Sequence, residues 1–290
     1  MNYNKDNVPA EYGRNFEEEA ALTEYRFQIP DYTHSDFSNE DLEEDFEGIP
    51  LSFQKLKIPS GGSKVFEEPS SDPENPMYSK TVQGVILYSH PAYAYWEEGE
   101  EFSDNAAPLC SSIDGNVGIG TPGGLCETCV YNRYGSDVNG KGKACKNMRN
   151  LYILRDGEFM PILLSLPPTS LRPFREFTNA TFMLRRRPIW SAVIQISLRR
   201  VENGANSYSV AAFKKLYDFT GEQLQQIREI AADFRSQIKT YNQTRAIDAE
   251  SRIDPNSIYE TDASSTDTGD NEHFCIQYDE QGGNKKILSA

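Results

Sequence analysis

Four of the chain's five cysteines fall in one short stretch, spaced Cys110-x15-Cys126-x2-Cys129-x15-Cys145, and no other feature limits the fold as much. Two thiolates separated by two residues fit on one tight knuckle. Two more, brought in by turns that the eight intervening glycines permit, complete a tetrahedron around one Zn²⁺ at about 2.3 Å. A site closed by four cysteines leaves no exchangeable position for water, so the metal is expected to be structural rather than catalytic. The competing reading is a set of buried or redox cysteines without metal, but the residues between them are too polar to form a core. His90 is the nearest histidine and could replace Cys110 as a ligand; His34 and His273 read as ordinary surface residues. Cys275 is left over.

Charge is the second constraint. Residues 1–103 carry 7 basic and 22 acidic side chains, 104–240 carry 18 and 12, and 241–290 carry 4 and 10. The nets of −15, +6 and −6 give a basic centre between acidic arms, which the whole-chain pI of about 4.7 conceals. Hydrophobic content of 38% and a mean hydropathy of −0.63 leave room for one core with polar flanks in 290 residues. Residues 1–80 read as a largely irregular acidic arm, 81–242 as the folded domain with a zinc insertion at 104–149, and 243–290 as an acidic tail. Residues 1–30 lack the apolar stretch of a signal peptide and no apolar run would span a bilayer, so a soluble cytoplasmic protein without membrane contact is expected.

Within the domain the pattern is mostly strand. Residues 82–96 are β-branched and aromatic, with Gly84 and Pro91 as expected bend points; 151–155 and 160–166 form a hairpin about Asp156-Gly157. Thr169 opens a short helix carrying Leu171, Phe174 and Phe177, with Pro173 in its first turn. Strand alternation after Pro188 puts Trp190, Ala192, Ile194, Ile196 and Leu198 on one face, and Asn203-Gly204 turns the chain into 208–213. A closing helix starts at a Thr220/Gln223 capping box and bears the stripe Leu224, Ile227, Ala231, Phe234, Ile238, ending near Tyr241. The fold class is therefore mainly β (α+β). The order of five strands with a helix between the third and fourth matches an OB-like barrel, an oligonucleotide-binding architecture.

Basic and aromatic residues gather in two groups. Tyr131, Arg133, Tyr134, Lys141, Lys143, Lys146 and Arg149 surround the last cysteines, and Arg172, Arg175, Arg185, Arg186, Arg187, Arg199 and Arg200 follow in the domain. Lysines on a rigid knuckle suit a phosphate backbone, arginine forks bind phosphate and stack on bases, and tyrosines stack on bases. The bland reading of the first group is a solvated basic loop. Gly140-Lys141-Gly142-Lys143 lacks the Lys-Ser or Lys-Thr ending of a phosphate loop, so no nucleotide-triphosphate site is expected.

These features together resemble the zinc-containing single-stranded DNA-binding proteins of T-even bacteriophages: an OB-like domain, a zinc module, basic and aromatic residues, and acidic flanks. The likeness is one of architecture, since those proteins ligate zinc with three cysteines and a histidine. The chain is also similar, over roughly 82–215, to prophage and mobile-element proteins that carry Pro-Gly-Gly-x-Cys-x-x-Cys, here 122–129, then Gly-Lys-Ala-Cys-Lys-Asn, here 142–147, and on through 166–171. The resemblance implies sequence-tolerant binding of single-stranded DNA in replication or recombination inside a host cell. It also implies an acidic tail that recruits replication or recombination proteins and competes for the binding groove. A second expectation, of another class, is a zinc-ribbon protein-interaction module or acidic DNA mimic. Enzymatic activity is not expected, because no carboxylate, histidine or serine constellation takes a catalytic pattern.

Overall fold

Strand β4 (Thr81–Tyr95) organises the chain, because its length lets it serve three partners. One edge pairs antiparallel with β8 (Lys146–Leu154), from Val85 opposite Leu154 to Ala94 opposite Lys146. Along the other edge, its start pairs with β10 (Ala192–Asn203) and its end with β5 (Cys110–Ser112). The ladder continues from β10 to β11 (Asn206–Asp218), from β5 to β6 (Val117–Gly120) and β7 (Gly124–Leu125), and from β8 to β9 (Ile162–Leu166). The short β1 (Lys55–Leu56) lies parallel to β9, and β2 (Phe66–Glu68) pairs separately with β3 (Met77–Ser79). This computed structural model describes residues 27–31, 45, 53–70, 72, 75–96, 107–204 and 206–251, with 244–251 described by backbone alone.

The result is a strand-rich α+β fold with a large mixed sheet, and the expected barrel does not close. Among the described residues β9 and β11 are not paired. The chain between β1 and β2 reaches across instead: Leu56 sits beside Leu164, and the Ser209 hydroxyl donates to the Pro59 and Ser63 carbonyls.

Each face of β4 is covered by a helix, as its alternation requires. Val82 and Ile86 pack with Ile153, Leu164, Ile194 and Ile196 under α1 (Pro168–Thr181), whose Phe174 closes that core. Val85 and Leu87 face the opposite way, onto Ile227 and Ala231 of α2 (Gly221–Ser251). Each such side chain, fully buried, contributes roughly 1.5–3 kcal/mol. The stripe expected on the closing helix is the one that packs, with Ile227 and Ala231 at 0% exposure and Ile238 at 1%. No helix among the described residues is long and apolar enough to cross a membrane.

Several expectations need correction. Order does not begin near Thr81: Phe27, Leu56 and Phe66 are buried, and Phe27 packs edge-on against Phe219 while its amide donates to the Tyr217 hydroxyl. Trp190 leaves the face of Ala192 and joins the α2 side, because a 3-10 turn at Ile189–Ser191 breaks the two-residue period before β10 starts. Pro173 lies in the second turn of α1, which begins at Pro168. Gln223 does not form a capping box but donates to the Phe27 carbonyl. Helix α2 runs to Ser251, ten residues past Tyr241, because helix propensity persists after the apolar stripe ends. Gly84 is not a bend: a Cβ there would fall 2.4 Å from the Leu154 carbonyl, so glycine is what lets β4 and β8 approach, and the register shift comes at Ile86/Tyr88. The expectations placed on 1–26, His34, most of the acidic arm, and 252–290 with His273 and Cys275 lie outside the described residues.

Candidate metal centre and basic surface

The cysteine segment grows out of the far end of the β4–β8 ladder. Cys110 is held on β5 opposite Tyr95 and Gly120, and Gly120 takes φ +111° where a Cβ would meet the Leu109 carbonyl. Cys126 follows β7, its amide donating to the Asn116 carbonyl at 2.8 Å and its carbonyl accepting from the Asn132 amide at 2.8 Å. Cys129 precedes the 3-10 turn Val130–Asn132, and the Cys145 amide closes the loop on the Tyr131 carbonyl at 2.9 Å. Tyr131 stacks on Tyr95 with ring centroids 4.4 Å apart.

All four cysteines line one cavity of about 10 Å³, together with Tyr93, Tyr95, Tyr131 and Asn132. That is room for roughly one water-sized sphere. None of the four is in a disulfide. The sulfurs are neighbours in electrostatic terms. Burial, then Cys126, Cys129 and Cys110, push the Cys145 thiol up to about 11, and burial, with Cys110, Asp114 and Cys129 adding to it, also raises Cys126. Burial raises Cys110 too, while the Gly123 amide works against it, as the Ser112 hydroxyl does at Cys126. The sulfurs are not, however, drawn into ligating geometry: among the described residues no three His, Cys, Asp or Glu groups are set to hold a metal ion. The four thiols nevertheless line one cavity, and thiol ligands deprotonate with the metal they bind. The donor set fits zinc, and Cys110, Cys126, Cys129 and Cys145 are the residues that would hold it.

His90 is not part of this set. Its Nδ1–H donates to the Pro91 carbonyl at 2.8 Å, which leaves Nε2 to accept from the Tyr152 hydroxyl at 3.2 Å. Burial lowers its pKa.

The basic residues fall into separate places. On the cysteine module, Tyr134 is 84% exposed with the Lys143 ammonium 5.2 Å from its ring centre; Arg133, Lys141 and Lys146 of the same module are exposed as well. Lys143 is fixed by Asn132 Oδ1 at 3.0 Å, and Arg133 leans on the Thr128 carbonyl at 3.3 Å. Asp137 accepts the Lys141 amide at 2.7 Å and shapes the lysine turn. Its carboxyl is lowered chiefly by the Gly142 backbone bond. Arg149 is half-buried on β8, bonded to Ser89 Oγ and lying over Phe174, so burial lowers its pKa.

The second group is spread over α1, the turn after it, and β10. Arg172 pairs with Glu176 at 2.8 Å, and Arg175 and Arg199 also bear on that carboxyl. Arg185 donates to the Ala180 carbonyl at the end of α1, and Arg187 is tied to Ser191, the Phe219 carbonyl and Asp218. Arg186 is exposed at φ +53°, and Arg200 pairs with Glu202. Tyr131 and Arg187 thus hold structure together rather than face outward. Sequence reasoning missed Asn132 and Asp137, although Asp137-Val138-Asn139-Gly140 carries an Asx-turn pattern. It also missed Met183 and Leu184, exposed by 69% and 81% beside Arg185 and Arg186. Their exposure has no sequence signal.

No family model, curated protein or solved structure matches this chain.

Proposed function

We propose that this chain binds single-stranded DNA without sequence preference, through the outer surface of a zinc-held module and the adjoining face of an open, OB-like sheet. The observation that carries the reading is the Tyr134 surface: an almost fully exposed ring with Lys143 over it, on a module that also exposes Arg133, Lys141 and Lys146. Stacking on an exposed ring is tolerant of sequence and contributes about 1–3 kcal/mol per base, while the cations neutralise phosphates. Bound zinc would supply charge neutralisation of four thiolates and a rigid knuckle. The chain's own contribution is to hold the lysine turn through Asn132 and Asp137. The OB-like reading rests on the order β4, β8, β9, α1, β10, β11. With it come a role in phage or mobile-element replication or recombination in the host cytoplasm, no catalytic activity, and an acidic tail that recruits partner proteins.

A second reading, a protein-docking zinc ribbon, is favoured by Leu125, Val130 and Val138 on the same module, exposed by 56%, 59% and 75%. Fluorescence-quenching titration of the full chain with oligo(dT), oligo(U) and duplex DNA separates the two. Preferential quenching by oligo(dT) supports the proposal; no quenching by any of the three at low salt overturns it and leaves the docking ribbon.

A further inference from the structure

On the α2 side of the sheet lies a groove of about 620 Å³. Its floor is Leu87 of β4 with Phe234 and Ile238 of α2, and its lip is Phe159 and Met160 from the β8–β9 connection, exposed by 47% and 50%. Among the described residues no lysine, arginine or histidine lines it. Glu229 and Asp233, one turn apart on α2, stand exposed along its rim with no ion pair or hydrogen bond among the described residues.

We propose that this groove docks a cationic, amphipathic peptide segment of a partner protein. The apolar floor and lip take one face of such a segment, and the carboxylates on the rim meet its lysines or arginines. Asp31 and Phe53 both line the groove, and residues 32–52 between them carry seven carboxylates and no lysine or arginine. The same count argues against that stretch as the occupant, since it would place like charges together. Nucleic acid is excluded on the same ground, so this site is independent of the Tyr134 surface and its failure would leave the single-strand reading untouched.

The test uses the full chain labelled with ¹³C at methionine methyls, with Met160 assigned by M160L. The probe is a synthetic amphipathic peptide of leucine and lysine, and its leucine–glutamate counterpart is the control. The expected result is saturable one-to-one binding of the lysine peptide with a shift of the Met160 signal, and no binding of the glutamate peptide. Glu229→Lys with Asp233→Lys should weaken the lysine peptide about tenfold, whereas Glu202→Lys with Glu222→Lys, of equal net charge, should leave it unchanged. Met160→Gln, which alters the lip without touching the rim, should also weaken binding. Equal losses from the two charge reversals would mean generic attraction to an acidic protein and overturn the proposal. An unmoved Met160 signal, or equal binding of the glutamate peptide, would overturn it as well.

Discussion

Gly118→Ala isolates the role of Cys110 as a metal ligand. Gly118 sits on β6 with no positive φ, so alanine meets no backbone penalty there. The added methyl would lie 2.7 Å from Cys110 Sγ, and ordinary contact starts near 3.4 Å, so the sulfur has to move by about 0.7 Å. The backbone fixes the direction of that methyl, whose other neighbours, the Gly124 carbonyl at 3.5 Å among them, lie at ordinary contact distance. Zinc–thiolate geometry tolerates only about ±0.2 Å around 2.3 Å. Cys110 Sγ has to reach the metal past that methyl, so zinc affinity in a chelator competition should fall by at least about tenfold, since even outer partners of a ligand are worth about 10–100-fold. Overpacking alone would lower stability by roughly 1–3 kcal/mol without that loss. Gly124→Ala is the matched control: its methyl meets nothing within 4 Å, but its φ of +78° makes alanine strained. It should lose about 1–2 kcal/mol in denaturant unfolding and keep its zinc affinity. Unchanged zinc affinity in Gly118→Ala would refute the assignment of Cys110.

Three further outcomes follow from other parts of the fold. Arg186→Gly should leave stability unchanged or raise it by up to about 1 kcal/mol in urea unfolding, because φ +53° is strained for arginine and easy for glycine; a clear loss would mean the arginine side chain holds the turn. His90, buried and lowered below its ordinary 6.5, gives stability that is complete above that pH. As pH falls below 6.5 the unfolded chain takes the proton first, so stability drops, and His90→Gln should flatten that acid limb in pH-dependent melting. Removing the acidic tail should raise affinity for oligo(dT), most at low salt, by ending intramolecular competition; the truncation has to fall after Ile253, because α2 runs to Ser251 and an end at Asn242 would cut it. Equal affinity with and without the tail would dismiss the competition.

Periodicity made the packed elements legible. Leu224, Ile227, Ala231, Phe234 and Ile238 repeat at helical spacing, and Ala192, Ile194, Ile196 and Leu198 alternate, so their buried faces could be read directly. Phe27, Leu56 and Phe66 could not, because the few apolar residues near them, such as Ile29, Phe53, Ile58 and Val65, keep no sustained period, and their burial depends on strands far along the chain. At the site, the x15-x2-x15 spacing picked out four cysteines that do share one cavity. Composition could not sort the cations. Arg187 finds Asp218 and the Phe219 carbonyl about thirty residues away, while Lys141 and Lys146 keep their exposure, and nothing local in sequence distinguishes them. The groove under α2 was equally invisible, being made by five separated segments.

The central claim is that the lysines beside Tyr134 neutralise phosphates of a single strand. Its most direct measurement is the affinity of the full chain for oligo(dT) across a salt series, compared with the same series for the chain in which Lys141, Lys143 and Lys146 are all alanine. Each phosphate contact contributes about −0.7 to the slope of log affinity against log salt, so losing three should flatten the slope by about 2 and weaken binding at low salt. An affinity and slope identical to those of the parent chain would assign these lysines to a merely solvated surface and contradict the account.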